Sequence, residues 1–313
     1  MKRIFCILLV AAVSMAAVSC KKEGSFNPKE KIVAVYQQQT SVTGAETTTV
    51  EKYKAEDWVW EGKLLKEVIS YYEDGTVLSH ELMSYKGGRL VKVAYEGGDT
   101  YTEYTYKSGK LTRIAMVSDG EETFAADVEH DGSNISKMKM SIDIPDDTTA
   151  KFAERSLARV IPQQLASLLM PTLTMVQRDN QAEKQSMAIN INFTYTDKNL
   201  TKMAVVVSGF TVMTVTCTYD DMKNPMQGCF AMLSPSTLSK NNIIETEMKL
   251  SGLLSQAGGM MNSMEGLPLP GNQKCSYTYT ASDFPETMTT TSTITEDDVT
   301  TTTTSTTFYE YGD

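Results

Sequence analysis

A short motif that recurs along the chain constrains its fold more than any other feature. An aromatic residue or histidine is followed by a polar segment rich in glycine, then by leucine or isoleucine, then by lysine or arginine two residues further on. Four full copies occupy residues 85–93, 106–114, 130–138 and 195–203. A regular internal repeat indicates that one supersecondary unit is used several times in succession.

Three further segments are partial copies of the motif. Residues 60–64 form an earlier copy that is one residue shorter, whereas Tyr219 to Pro225 and Tyr279 to Pro285 keep only the start of the motif. Each unit has the chemistry of a β-hairpin, because glycine, aspartate and asparagine adopt positive φ in tight turns and the flanks are rich in β-branched and aromatic residues.

Turn signals also lie between the copies, where the chain has to return. They are Asp74-Gly75, Gly97-Gly98 and Asp119-Gly120. Two strands of about eight residues therefore fit each period. The sequence predicts an all-β, mostly antiparallel, up-and-down meander of hairpins that curls into a barrel-like sheet, since closure removes the exposed edges.

Two stretches interrupt this rhythm. Apolar residues at helical spacing predict one amphipathic helical insertion near 148–170, within a longer insert at 146–180, which either covers an open end of the core or acts as a lid. Residues 251–272, rich in glycine and methionine, are predicted to form a loop that serves as a contact surface or simply packs.

The C-terminal segment has 13 threonines in the 21 residues from Thr287 to Thr307. A glycosylated or disordered stalk is one interpretation of such a composition. Two closing strands joined at 296–298 are favoured here, because threonine suits strands and Phe308 to Tyr311 resume an alternating aromatic pattern.

The N-terminus is typical of a secretory signal peptide. Lys2 and Arg3 precede an apolar run, and small residues follow up to Cys20. Ala17-Val18-Ser19-Cys20 resembles a bacterial lipobox, which predicts a lipoprotein signal peptide at 1–19 and lipidation of Cys20; an ordinary cleaved signal is the alternative. Residues 20–29 are then a polar tether, and 30–313 a single β-repeat domain.

Composition excludes some partners. With 39 acidic against 29 basic residues the net charge is −10, so binding of nucleic acid is not expected. Attraction to anionic lipid is not expected to hold a negative protein either, and the predicted membrane partner is reached through the lipid on Cys20.

No catalytic signature is present in the sequence. The nucleophile elbow, the zinc-protease motif, the P-loop and the dinucleotide fingerprint are all missing, and only two histidines occur. We therefore predict no enzyme activity, catalytic residue, metal or cofactor, although a carboxylate pair for glycoside hydrolysis would leave no local signature. Trp58 and Trp60 are the candidate ligand platform, able to stack on sugars, with core packing as the alternative.

Three cysteines remain after Cys20, and they leave two interpretations open. Cys217 and Cys275 both precede tyrosine-containing strands and are candidates for a disulfide bond. Burial as small apolar side chains is the other interpretation for these two and for Cys229.

The hairpin units resemble tyrosine-rich repeats of the YD type, and the whole chain resembles an uncharacterised Bacteroidetes lipoprotein family. The resemblance is carried by the lipobox, the Tyr-turn-Leu-x-Lys units, and the later set of Tyr219 to Pro225, residues 239–243 and Tyr279 to Pro285. It implies a porin-like, barrel-like β fold and supplies no catalytic residues.

Together these features predict a lipid-anchored, non-enzymatic binding or structural protein of a Gram-negative cell envelope, at the outer membrane. A membrane-spanning barrel is disfavoured, because Lys92, Arg113, Lys137 and Lys202 recur at one position where lipid contact would be costly. The alternatives are a glycan-binding accessory lipoprotein of a nutrient-uptake system and a carrier of an apolar ligand in the barrel interior.

Overall fold

The fold is a single antiparallel sheet of 16 strands closed into a barrel. It is seen in a computed structural model that describes residues 23–143, 186–207, 209–231, 233–250, 273–296 and 299–312. The strands are β1 (Lys31–Thr43), β2 (Glu46–Glu61), β3 (Leu64–Tyr71), β4 (Val77–Lys86), β5 (Arg89–Tyr95), β6 (Tyr101–Lys107), β7 (Lys110–Ser118), β8 (Glu121–Asp131), β9 (Asn134–Asp143), β10 (Ser186–Thr196), β11 (Asn199–Val207), β12 (Phe210–Tyr219), β13 (Ile243–Leu250), β14 (Gln273–Tyr279), β15 (Pro285–Glu296) and β16 (Val299–Gly312).

Every strand pairs with its neighbours in sequence, and β1 closes the sheet against β16 from Lys31↔Gly312 to Thr43↔Thr301. The predicted all-β meander and its barrel-like curling are therefore confirmed. The threonine-rich segment supplies β15 and β16, which meet at Glu296↔Val299 as the sequence predicted.

The repeated motif sets the geometry of its hairpins. The aromatic residue pairs across the turn with the leucine, as in Tyr85↔Leu90 and Tyr106↔Leu111, and a β-bulge follows directly. Two-residue turns with positive φ, such as Gly87 at 59° and Gly88 at 78°, connect the strands. Trp60 pairs with Leu65 in the same way, so this copy has the full length and the expectation that it is one residue shorter is wrong.

The bulge places apolar and charged positions on opposite faces of the sheet. After each leucine, the lysine or arginine faces outward, and the next residue is buried inside at Val93, Ile114, Met138 and Met203. Arg113, for example, forms ion pairs with Glu122 and Asp127 across the outer face. Membrane-spanning strands have the reverse pattern, with an apolar row toward lipid.

The up-and-down order gives the barrel two distinct ends. The repeat end carries the motif turns together with residues 220–242, which connect β12 to β13. Of the connections that the structure describes in full, the far end carries those at 44–45, 72–76, 96–100 and 119–120. Both chain termini of the sheet, Lys31 and Gly312, lie at the repeat end.

Several predicted segments lie outside the described residues. These are the signal peptide at 1–19, Cys20, the helical insertion at 146–180 and the loop at 251–272. In the described ranges the secondary structure contains no α-helix, and so no helix long and apolar enough to cross a membrane occurs there. Cys217, Cys229 and Cys275 are free thiols; the first two are buried, which agrees with their interpretation as small apolar side chains.

Candidate functional site: the barrel interior

The inner wall of the barrel from β3 to β12 is apolar. Its most deeply buried members, between 0 and 1% exposed, are Leu65, Val93, Leu111, Ala126, Met138, Ile189, Ile191, Leu200, Val205 and Met213. They come from strands on which inward apolar residues alternate with outward polar residues, since successive side chains of a strand point to opposite faces. A barrel of 16 strands is wide enough that side chains from the strands alone do not fill it.

A layer of aromatic side chains crosses the wall at the repeat end. The Tyr85 hydroxyl donates to the Leu65 carbonyl at 2.8 Å, and the Tyr219 hydroxyl donates to the Leu200 carbonyl at 2.6 Å. Tyr277 and Tyr311 donate in the same way to Ile243 and Pro285, and Trp60 donates from Nε1 to Ile32. Each ring thus satisfies a strand-end carbonyl of the preceding hairpin.

Burial in this layer has an electrostatic consequence. It raises the pKa of Tyr85 and Tyr219 well above the usual value for tyrosine, because a phenolate would be desolvated there. These hydroxyls therefore stay protonated at all physiological pH values and act as hydrogen-bond donors.

The connection between β12 and β13 folds inward and covers part of the repeat end. Its Cys229, Phe230 and Leu233 are 5, 8 and 3% exposed and join the core. Asn199 holds the connection in place: its Oδ1 accepts from the backbone N–H groups of Lys240 and Asn241 at 3.0 Å each.

The segment from Glu23 to Phe26, part of the predicted tether, also packs against the repeat end. A Glu23 carboxylate oxygen accepts from the Leu111 backbone N–H at 2.6 Å, and the other lies 3.0 Å from His130 Nε2. The Gly24 carbonyl accepts from the Leu90 backbone N–H at 2.8 Å. Phe26 is 4% exposed and lies against Trp58 and Trp60.

One ionisable side chain faces the apolar interior from β2. Glu56 accepts a hydrogen bond from Trp58 Nε1 at 2.7 Å. Burial raises the pKa of Glu56, with a smaller contribution from the carboxylate of Glu81 on the inner face of β4, while the Trp58 hydrogen bond opposes the rise. A carboxyl group with a raised pKa is a hydrogen-bond donor when protonated and an acceptor when ionised.

The wall formed by β1, β15 and β16 differs from the rest. Thr301, Thr303, Ser305 and Thr307 share the inward face of Tyr309, and they stand opposite Thr43, Ser41, Gln39 and Gln37 of β1. Hydroxyl groups bond directly across the strands, as in Ser41 with Thr303 at 3.1 Å and Thr43 with Thr301 at 2.9 Å. The interior therefore has an apolar side and a hydroxyl-lined side.

The candidate platform residues lie in this interior. Trp58 is 8% exposed and belongs to the core, and Trp60 is partly buried against it. Their placement favours the packing alternative, and sugar stacking stays a prediction. Sequence reasoning missed Glu56 and Glu23; the alternation Glu56-x-Trp58-x-Trp60 would have placed Glu56 on the inner face.

A pocket of about 260 Å³ lies on the outer side of the repeat end. It is lined by Lys29, Lys223, Asn224 and Phe284, among others. Lys223 is already engaged there, with Asp283 at 3.1 Å and over the Phe284 ring. Among the described residues no group of three or more histidine, cysteine, aspartate or glutamate side chains is placed to hold a metal ion.

Comparison with known proteins adds little to this description. No family model and no curated protein matches the chain. A solved structure described as a porin-like protein from Bacteroides uniformis is similar at a TM-score of 0.46 and 10% identity, over 93% of this chain and 100% of that chain. A similarity this low supports no argument about the function of this chain.

Proposed function

We propose that the chain is a lipid-anchored, non-enzymatic binding protein of the bacterial cell envelope, and that it binds an apolar ligand inside the barrel. The observation that carries the proposal is the distribution of side chains over the sheet. Apolar residues line the inside from β3 to β12, whereas charged residues such as Arg113, Glu122 and Asp127 lie outside. The barrel is then held at the membrane by Cys20 and does not span the membrane with its strands.

The free energy of burying apolar surface favours an apolar occupant of the barrel over a polar one. Apolar surface in contact with water costs roughly 25 cal/mol for each Å². An apolar wall is therefore stable only when other apolar groups cover it, and the side chains of Cys229, Phe230 and Leu233 do so at the repeat end. A ligand with an alkyl or ring portion matches the apolar side of the interior, where it would replace the atoms of the chain that cover residues such as Leu111 and Met138. Glu56 offers a hydrogen bond to a polar group on such a ligand.

The far end is the proposed route of entry. Most large exposed apolar side chains of the described residues lie around it: Val42, Tyr72, Val77, Leu78, Phe210 and Val299. Exposed apolar residues around an opening are typical of sites that receive apolar partners. The repeat end, by contrast, is partly covered by the tyrosine layer and the inward connection.

Binding of a neutral fluorescent naphthylamine probe tests the proposal, with long-chain fatty acids as competitors and native mass spectrometry of gently purified protein. We expect a probe signal that the competitors displace. Val68→Phe adds bulk to the inner face and weakens probe binding, whereas Val59→Phe adds the same bulk to the outer face, where Val59 is 41% exposed, and leaves binding unchanged.

The contrary outcome is equally clear. A folded protein that binds no probe and carries no copurified apolar molecule would mean that the chain itself covers its inner wall, and the ligand proposal would fail. Mass spectrometry of Cys20 in the same sample tests the lipid anchor separately.

A further inference from the structure

Four described connections at the far end of the barrel differ in charge from two neighbouring turns at the repeat end. The far-end connections and the strand residues beside them carry Glu46, Glu73, Asp74, Glu96, Asp99, Asp119, Glu121 and Glu122, and residues 44–46, 72–76, 96–100 and 119–122 contain no lysine or arginine. At the repeat end, two neighbouring hairpin turns carry only basic charge: Lys86 and Arg89 flank one turn, and Lys107 and Lys110 flank the next. We call these four residues the basic sector.

The three lysines of the basic sector are available for a partner, whereas Arg89 is partly buried over the Tyr106 ring. Lys86, Lys107 and Lys110 are exposed. Within the ranges that the structure describes, no carboxylate forms an ion pair with any of the four, and Lys110 donates instead to the Gly132 carbonyl. By contrast, Lys54, Arg113 and Lys139 on the barrel wall each have an acidic partner.

The chain leaves the barrel toward Cys20 directly beside this sector. Gly24 is bonded to Leu90, the residue after Arg89, and Glu23 is bonded to Leu111, the residue after Lys110. Gly24 also lies so close to Tyr106 that an added Cβ would meet the Tyr106 hydroxyl oxygen at 2.1 Å. Glu23 is only three residues from Cys20, which fully extended chain spans in about 10 Å.

We propose that the basic sector binds anionic lipid headgroups of the membrane that holds Cys20, so that the repeat end faces the bilayer and the far end faces away. The orientation rests on the proposed lipid anchor, whereas the headgroup contact does not. Net charge alone predicts no attraction of this chain to anionic lipid. Charges more than a Debye length of about 8 Å from the basic sector are largely screened, however, so the local basic charge decides the contact.

This orientation decides which way the proposed entry route of the ligand faces. With the repeat end on the bilayer, the acidic far end and its apolar rim point into the surrounding aqueous phase. The proposed entry route then receives its ligand from that phase or from a second protein, and not directly from the membrane below the anchor.

Cosedimentation with vesicles tests the contact without the anchor. The processed chain, residues 20–313 with Cys20→Ser, is mixed with vesicles of phosphatidylcholine alone or with added phosphatidylglycerol. We expect binding to the anionic vesicles only, lost at high salt. The triple variant Lys86→Gln/Lys107→Gln/Lys110→Gln is expected to bind anionic vesicles at least roughly tenfold more weakly. The reason is that each basic residue near an anionic surface raises the binding constant by about a factor of five.

The matched control is Lys137→Gln/Lys139→Gln/Lys202→Gln, which removes the same charge from the barrel wall and is expected to leave binding near the unmodified value. An equal loss in both triple variants would overturn the proposal, since binding would then follow net charge alone. So would absence of binding to anionic vesicles by a chain whose circular dichroism shows the folded sheet. The naphthylamine assay on the same samples reports the ligand proposal independently.

Discussion

The two ends of the barrel differ in how far their strand ends are covered and hydrogen-bonded. At the repeat end, hydroxyls of Tyr85 and Tyr219 cap strand-end carbonyls and the connection at 220–242 folds inward. At the far end, Tyr72 and Leu78 are each 54% exposed, and the described connections are acidic. Among the described residues, hydrogen-bonded closure is seen at the repeat end, and we therefore expect stability to be concentrated where the repeats turn. Matched substitutions at the two ends test it.

Truncation of a leucine is expected to give the largest difference in the free energy of unfolding between the two ends. Leu111→Ala at the repeat end removes a side chain that is 0% exposed and is expected to lower the free energy of unfolding by about 3 kcal/mol. Leu78→Ala makes the same change at the far end and is expected to cost less than about 0.5 kcal/mol. Urea unfolding of both variants measures the difference, and equal losses would refute the contrast between the ends.

The second effect concerns the inward connection. Asn199→Ala leaves the buried backbone N–H of Asn241 without its acceptor and leaves that of Lys240 with the Lys198 carbonyl alone, and it is expected to cost about 2 kcal/mol. Asn134→Ala, at the equivalent position of another copy, is the control and is expected to cost much less. Hydrogen exchange at residues 220–242 should rise in the first variant alone; unchanged exchange would contradict the role given to Asn199.

The third effect isolates one hydroxyl group. Tyr85→Phe removes the donor to the Leu65 carbonyl and is expected to destabilise the protein by about 1 kcal/mol. Tyr72→Phe at the far end removes an exposed hydroxyl and is expected to change nothing measurable. Thermal unfolding compares the two, and a neutral Tyr85→Phe would show that the carbonyl finds another partner.

The smallest effect is a pH dependence on the outer wall near the far end. His80 lies 2.9 Å from Glu67 and 2.5 Å from Glu96. Burial acts to lower the pKa of His80, but its hydrogen bonds to the two carboxylates outweigh this and raise it above the usual value. The stabilisation is therefore fully present below the unfolded pKa of about 6.5 and is lost as pH rises through the folded pKa.

The variant that tests this prediction is His80→Gln, because glutamine cannot take up the positive charge of a protonated histidine. Its stability deficit relative to the unmodified chain is expected to be largest at acidic pH and to shrink above neutrality, by no more than about 1 kcal/mol in this partly exposed pair. A deficit that is constant from pH 5 to 9 would rule out a titrating His80.

Much of the fold was predictable because the motif carries its own hairpin chemistry. The turn glycines, the aromatic–leucine pair and the outward lysine recur at fixed spacing. This spacing indicates where each strand begins and which of its side chains face the inside of the barrel. The threonine-rich strands were predictable for a similar reason, since their β propensity agrees with the closing position.

The candidate site was less predictable because its parts come together only in three dimensions. The segment Glu23 to Phe26 has a tether's composition, yet Glu23 meets Leu111, which is 88 residues away in sequence. Likewise, nothing in the local sequence indicated that Cys229 and Phe230 turn inward and join the core. The basic sector needed the strand order, because its two turns become neighbours only once the sheet is known.

Closure of the sheet by its first and last strands has a consequence for biogenesis. β1 and β16 pair over their whole lengths although some 260–280 residues separate the partners, as for Ser41 and Thr303. During folding, β1 therefore keeps one unpaired edge until β16 has been synthesised. Chains truncated before Val299 would leave that edge unpaired for good, and we expect them to aggregate more readily than the full chain.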